Sequence, residues 1–220
     1  EMDEKNMKNY NLLKELAASI KKSDKPTTKQ KKIIESAILI FSEKGYANAS
    51  TAEIARHAGV SEGTIFKHYG TKENLLLSLI IPYLEDFFPS IVEEVVKEAS
   101  NSMITFEDFL VHLLQNRCLF IEENKEIFQV MIKELIYKEE LKEKLLPCIY
   151  QILATQIGQV IEHFQQRGEV KDSPTDVLLK MLFTSTSAFF ISHFVLFNKT
   201  KVSQEDIVQT AQFIANGMRP

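Results

Sequence analysis

The chain has 220 residues, 45% of them hydrophobic and 25% charged, with a formal net charge of −4. That composition excludes a disordered, collagenous or disulfide-scaffold protein and provides core material for one large or two small domains. The charge is uneven: residues 20–75 hold ten Lys or Arg against six Asp or Glu, and residues 76–220 hold thirteen against twenty. A basic head on an acidic body concentrates attraction for phosphates at one end.

Residues 1–25 are polar apart from Leu12, Leu13, Leu16, Ala17 and Ile20, a spacing that suits an N-terminal arm or a short amphipathic helix. Thr28 is placed to cap a helix over 29–44, in which Ile33, Ala37, Ile40 and Phe41 share one face, and Gly45 ends it. Ser50 with Glu53 has the spacing of a capping box, opening a helix that carries Ile54, Ala55 and Ala58. Gly59 permits the left-handed stop, Val60 is a staple, and Ser61 caps a further helix to about Tyr69. Helix, glycine turn, helix is the arrangement that seats a second helix in a DNA major groove. On that second helix Ile65 and Tyr69 form one column and must be the core side. Gly63 and Lys67 point away from it, flanked by Glu62 and Phe66 on one edge and Thr64 and His68 on the other.

Gly70 breaks the helix, and Thr71 caps the next, over 71–84, with Leu75, Leu76, Leu79 and Ile80 at helical spacing and Pro82 near its end. Further helices are predicted at 89–100, 105–123, 125–136, 139–167, 174–198 and 203–217. Thr105 and Ser203 each have an acid three residues later, Gly168 closes the long helix, and Pro174 opens the next. With no alternating strand pattern or hairpin turn, the fold class is all-α. The expected division is an arm at 1–25, a three-helix head at 26–75, and a larger helical domain at 76–220.

Val177–Phe197 has the length of a membrane span, but Lys180, the run Thr184–Ser187, Ser192 and His193 argue against one. An all-round apolar helix in a soluble protein needs cover on several sides, from its own subunit and from a second. Pairing it with the last helix gives a symmetric four-helix interface, for which Phe190, Phe194, Phe197, Ile207, Ala211 and Ile214 are the candidates.

No phosphate-binding loop, dinucleotide fingerprint, zinc-protease or nucleophile-elbow motif occurs. The five histidines lack ligand spacing, Asp108 and His112 read as a helix-face pair, and Glu122, Glu123, Glu126 and Glu134 read as a solvated face. Cys118 and Cys148 are too few for a disulfide framework and read as buried reduced thiols. No enzyme, metal or cofactor is indicated, and no signal-peptide pattern opens the chain.

The segment Ile54-Ala55, Ala58-Gly59-Val60-Ser61, Gly63-Thr64, Phe66, His68-Tyr69, Lys72-Glu73 and Leu75 resembles the DNA-binding segment of the tetracycline-repressor (TetR) family of bacterial regulators. The resemblance runs from Lys29 to Leu76, and the remainder carries no motif. It implies a helix-turn-helix head, a ligand-binding and dimerisation domain behind it, a cytoplasmic homodimer, double-stranded operator DNA as partner, and a small-molecule effector. It further implies Thr51, Thr64, His68 and Lys72 as phosphate clamps and Gly63 as the point of close approach. Glu62, Thr64 and Lys67 are then the candidates for reading base edges. The family commonly has tyrosine where this chain has Phe66, whose missing hydroxyl removes one phosphate contact. A body cavity is also implied, lined from Phe109, Phe120, Phe128, Met131, Leu135, Met181 and Phe183; the scarcity of charges there favours an apolar effector. The functional expectation is a repressor released from its operator by that effector. The alternative is a helical protein-interaction module without sequence-specific DNA binding.

Overall fold

The start and stop signals of the head are local, and Gly45, Ser50, Gly59 and Gly70 sit at the helix ends where they were read. A computed structural model describes residues 11–13, 29–82 and 104–220. The chain divides into two compact units, residues 1–83 and residues 84–220, so the division falls beyond the 75/76 boundary expected from sequence. The predicted helix at 89–100, the Thr28 cap and most of the arm lie outside the described residues.

In the first unit, α1 spans Lys29–Lys44, α2 Thr51–Ala58 and α3 Glu62–Tyr69, and residues 72–82 are helical. Ile33, Ala37, Ile40 and Phe41 of α1 are buried together with Ile54, Ala55 and Ala58 of α2 and Ile65 of α3. Leu75, Leu76, Leu79 and Ile80 are buried as well, which is why this stretch belongs to the head. Ser50 accepts from the Glu53 N–H, as the capping box requires. The Glu53 carboxylate, however, pairs with Lys44 of α1. Gly59 ends α2 at φ 67°, a left-handed conformation that a side chain would strain. His57 Nδ1 and the buried Ser36 hydroxyl share a 2.9 Å hydrogen bond that ties α2 to α1.

In the second unit, α4 spans Phe106–Glu123, α5 Lys125–Tyr137, α6 Glu139–Gln166, α7 Thr175–Phe190 and α8 Gln204–Met218. Residues Ile191–Leu196 continue α7 as a π-helical segment. The described residues contain no strand. Thr105 and Asp108 form a complete capping box on α4. The hydrogen bonds from Thr105 hold the Asp108 carboxyl below its ordinary pKa. Ser203 accepts from the Asp206 N–H at the start of α8, and Gly168 turns at φ 73° after α6.

The core of this unit is aromatic at its centre. Phe106, Phe109 and Phe164 are all buried, with ring centroids 5.3–6.3 Å apart. Cys118 is buried beside them in the same cluster, and desolvation, aided by Glu122, pushes its thiol up to about 12. Nothing is described for the Cys148 side chain.

Three sequence expectations change here. Helical spacing offers Ile207, Ala211, Ile214 and Phe194 to a partner subunit, but all four are buried in this unit's own core. The stripe at 207, 211, 214, 215 and 218 is the side of α8 that packs inward, which turns Phe213 outward, 76% exposed. Phe190 is half-buried against that core and Phe197 is exposed. Phe109, expected to line a pocket, is buried against the Phe106 and Phe164 rings in the core. Met181 and Phe183 are both exposed on α7, and Met181 lines a groove between α7 and α8. Phe120, Phe128, Met131 and Leu135 remain half-buried on α4 and α5. Finally, Glu134 is buried and paired with Lys138 at 2.6 Å, and Glu122 accepts from the Val202 N–H at 3.0 Å, so these two acids are not a solvated face.

The outward side of α7 is a second stripe. Val177, Met181, Thr184 and Ala188 recur at helical spacing and are exposed, while Leu178, Leu179, Leu182 and Phe189 are buried. Thr175–Leu196 is long and apolar enough to cross a membrane by composition, and only 28% of its most apolar window is buried within the chain. A groove of ≈640 Å³ runs between α7 and α8, lined by Lys180, Met181, Thr184, Phe213 and Gly217 among others.

Candidate nucleic-acid interface

The two short helices of the head are held so that one side of α3 is free. Ile65 is buried and Tyr69 half-buried, and the loss of solvent raises the Tyr69 pKa. Glu62, Gly63, Phe66, Lys67 and His68 are all exposed, with Phe66 at 49%. Thr64 is intermediate. The row read from helical spacing is therefore the row presented to solvent. A Cβ on Gly63 would meet only the Ser61 hydroxyl, at 3.9 Å, so the glycine leaves the helix surface low for an approaching backbone.

Hydrogen bonds then arrange this surface. The Thr51 hydroxyl at the start of α2 donates to Glu62 Oε1 at 2.6 Å, linking the first turns of α2 and α3. Ser61 makes no side-chain cap bond; its hydroxyl lies 2.9 Å from that of Thr64. Gln30 of α1 reaches His68 Nδ1 at 3.5 Å. Lys67 and His68 lie in the last turn of α3, where the Lys67 charge complements the helix dipole. Lys72 is placed differently from the others. Its ammonium donates to the carbonyls of Tyr46 and Ala49 and lies over the Tyr46 ring.

Of the eight predicted DNA-contact residues, Glu62, Gly63, Thr64, Phe66, Lys67 and His68 lie on one short helix. Thr51 joins them through its bond to Glu62. Sequence reasoning missed the internal partners: the Thr51–Glu62 bond, the Ser61–Thr64 bond and the seat of Lys72. Among the described residues no group of three or more His, Cys, Asp or Glu is arranged to hold a metal ion. What the surface can do chemically is offer an amide, hydroxyls, an ammonium and an imidazole to phosphates and base edges.

A capped helix-turn-helix in a basic head, followed in the chain by a separate helical unit, defines the class of two-unit helix-turn-helix proteins. Residues 33–79 match the family model for bacterial regulatory proteins of the tetR family. The chain is 28% identical to the HTH-type transcriptional regulator YuxN of Bacillus subtilis over 175 residues, covering 78% of this chain and 57% of that protein. It spans between 32% and 57% of the length of the first three curated relatives it matches. Its fold matches a protein from Mesorhizobium loti assigned as a TetR-family transcriptional regulator. That match has a TM-score of 0.58 and 21% identity, over 86% of this chain and 94% of that one. It also matches Thermus thermophilus FadR, a TetR-family transcriptional repressor in complex with lauroyl-CoA. Here the TM-score is 0.55 at 19% identity, over 87% and 95% of the two chains. Over residues 33–79 the chain is similar to the tetR family of bacterial regulatory proteins, and its fold is the one these solved relatives share.

Proposed function

We propose that the chain is a homodimeric DNA-binding transcriptional regulator, a repressor released from its operator by a small, largely apolar ligand. The observation that carries this reading is the exposed row Glu62, Gly63, Thr64, Lys67 and His68 on α3, opposite the buried Ile65. Lys67 and Glu62 contact base edges, Thr64 and His68 contact phosphates, and Gly63 lets the helix lie close to the duplex. Phe66 presents an apolar ring with no hydroxyl for a phosphate, and the methyl of thymine is the apolar group the major groove offers it.

Two copies bind a pseudo-palindromic site, since a two-fold protein reads half-sites about one helical turn apart. The face for the second copy is the stripe Val177, Met181, Thr184 and Ala188 with Phe213, an apolar surface of the kind that marks interfaces. The effector binds in the second unit, among the half-buried Phe120, Phe128, Met131 and Leu135. It favours a dimer whose heads no longer match both half-sites, so operator affinity falls by the ligand's differential affinity for the two states. Lauroyl-CoA, the ligand of the Thermus relative, is the first compound to try.

The test is a fluorescence-anisotropy titration of the full chain on DNA from upstream of its own gene and on scrambled DNA. The reading predicts a preference of about 10³-fold or more for one upstream segment. Equal affinity for both would replace it with the protein-interaction reading.

A further inference from the structure

The turn between α1 and α2 has carbonyls outside either helical ladder, and Lys72 reaches across to two of them. Its Nζ donates to Tyr46 O at 2.9 Å and to Ala49 O at 3.0 Å, partners 26 and 23 residues away. The same ammonium sits 4.3 Å from the centroid of the Tyr46 ring. That ring is buried and packs on Phe41 of α1, with centroids 5.4 Å apart. Ala49 is itself buried and directly precedes Ser50, the N-cap of α2, and Thr51, its first residue.

We infer that Lys72 is a positioning residue: its ammonium braces the α1–α2 turn and sets the N-terminus of α2, and does not itself contact a phosphate. An ammonium has three donors, and two carbonyls and an aromatic face make a compact seat for them. With two donors held in charge-assisted bonds, which are stronger than neutral ones, and the ammonium seated over the Tyr46 ring, reaching out to DNA would draw Lys72 away from this seat. Holding the turn fixes where Ser50 and Thr51 present the amides and hydroxyl of the first turn of α2, the part of a helix that favours an anion.

The consequence for DNA rests on the regulator reading, but the brace does not, so the test has an arm without DNA. Amide hydrogen exchange on the free chain would compare wild type with Lys72→Met, which keeps the stem and removes the donors. The amides of residues 46–50 should exchange about tenfold faster or more in the variant while those of α3 stay near wild type. Unchanged exchange over 46–50 overturns the brace. On operator DNA the variant should bind about tenfold more weakly, with a log–log salt slope equal to that of wild type. A slope reduced by about 0.9, the signature of one lost phosphate contact, overturns the inference. Lys72→Arg separates charge from seat, and serves if the Met variant does not fold. Its longer planar fork restores the cation without the compact geometry. Exchange over 46–50 above wild type with reduced affinity supports the brace; full recovery of both overturns it. If wild type itself shows no DNA preference, the regulator reading fails and the exchange result stands alone.

Discussion

Replacing Phe213 by alanine removes the largest apolar group that the groove between α7 and α8 leaves in water. The ring is 76% exposed in the single chain, and the groove it lines also contains Met181, itself 52% exposed. Fully burying a phenylalanine side chain is favourable by about 1.5–3 kcal/mol, so covering the exposed three quarters contributes about 1–2 kcal/mol per copy. A two-fold interface contains the residue twice, so the loss is about 2–4 kcal/mol, or roughly 30- to 1,000-fold in the dimer dissociation constant. The folded monomer should be nearly indifferent, within about 0.5 kcal/mol, because an exposed side chain has few contacts to lose. Sedimentation velocity across a concentration series, with urea melts at low concentration, separates the two effects. A dissociation constant that Phe213→Ala leaves unchanged would refute this face as the dimer interface.

The remaining predictions concern the two units separately. Lys67→Ala should lower affinity for the preferred operator by about 1–3 kcal/mol and change scrambled-DNA affinity much less, measured by competition anisotropy. Phe164→Ala should cost about 3–5 kcal/mol in denaturant melts, because the ring is fully buried against Phe106 and Phe109. Asp108 has a folded pKa below its unfolded one, so its contribution is present above the ordinary carboxylate range and is lost as pH falls through the folded value. Thr105→Val should therefore flatten the loss of stability below about pH 4, as read from melts at a series of pH values. Cys118, with its thiol pushed up to about 12, should resist alkylation at about pH 8 in the native chain and react on unfolding.

The head was legible because its determinants are short-range. Ser50 with Glu53, Gly59 and Gly70 are signals within one helical turn of what they control, and Ile65 with Tyr69 identify the core side of an eight-residue helix. The long-range consequences were not. The partners of Lys72 lie 26 and 23 residues back, and a cation at that position carries no local mark of which acceptor it will take. Helix positions in the second unit were also readable, from Thr105, Gly168, Pro174 and Ser203. Their facing was harder. On α7 and α8 apolar residues occupy more than one stripe, so spacing alone does not say whether Ile207, Ala211 and Ile214 or Phe213 faces inward. Packing against α4 decides it: α8 is pinned there by Arg219 to Glu107 at 2.8 Å and Gln115 to Gln204 at 2.8 Å, with the stripe at 207, 211 and 214 turned in. The same limit applies to the pocket. An aromatic list cannot distinguish Phe109, enclosed by two rings, from Phe128, which is half-buried.

Whether α3 reads DNA as one of a two-fold pair is decided by hydroxyl-radical footprinting of the full chain on its preferred upstream segment. A two-fold pair should give two protected patches related by a dyad, with centres about one helical turn or a multiple of it apart, and loss of both in Phe213→Ala under monomeric conditions. A single unsymmetrical patch that persists in the monomer, or no protection at saturating protein, would contradict it.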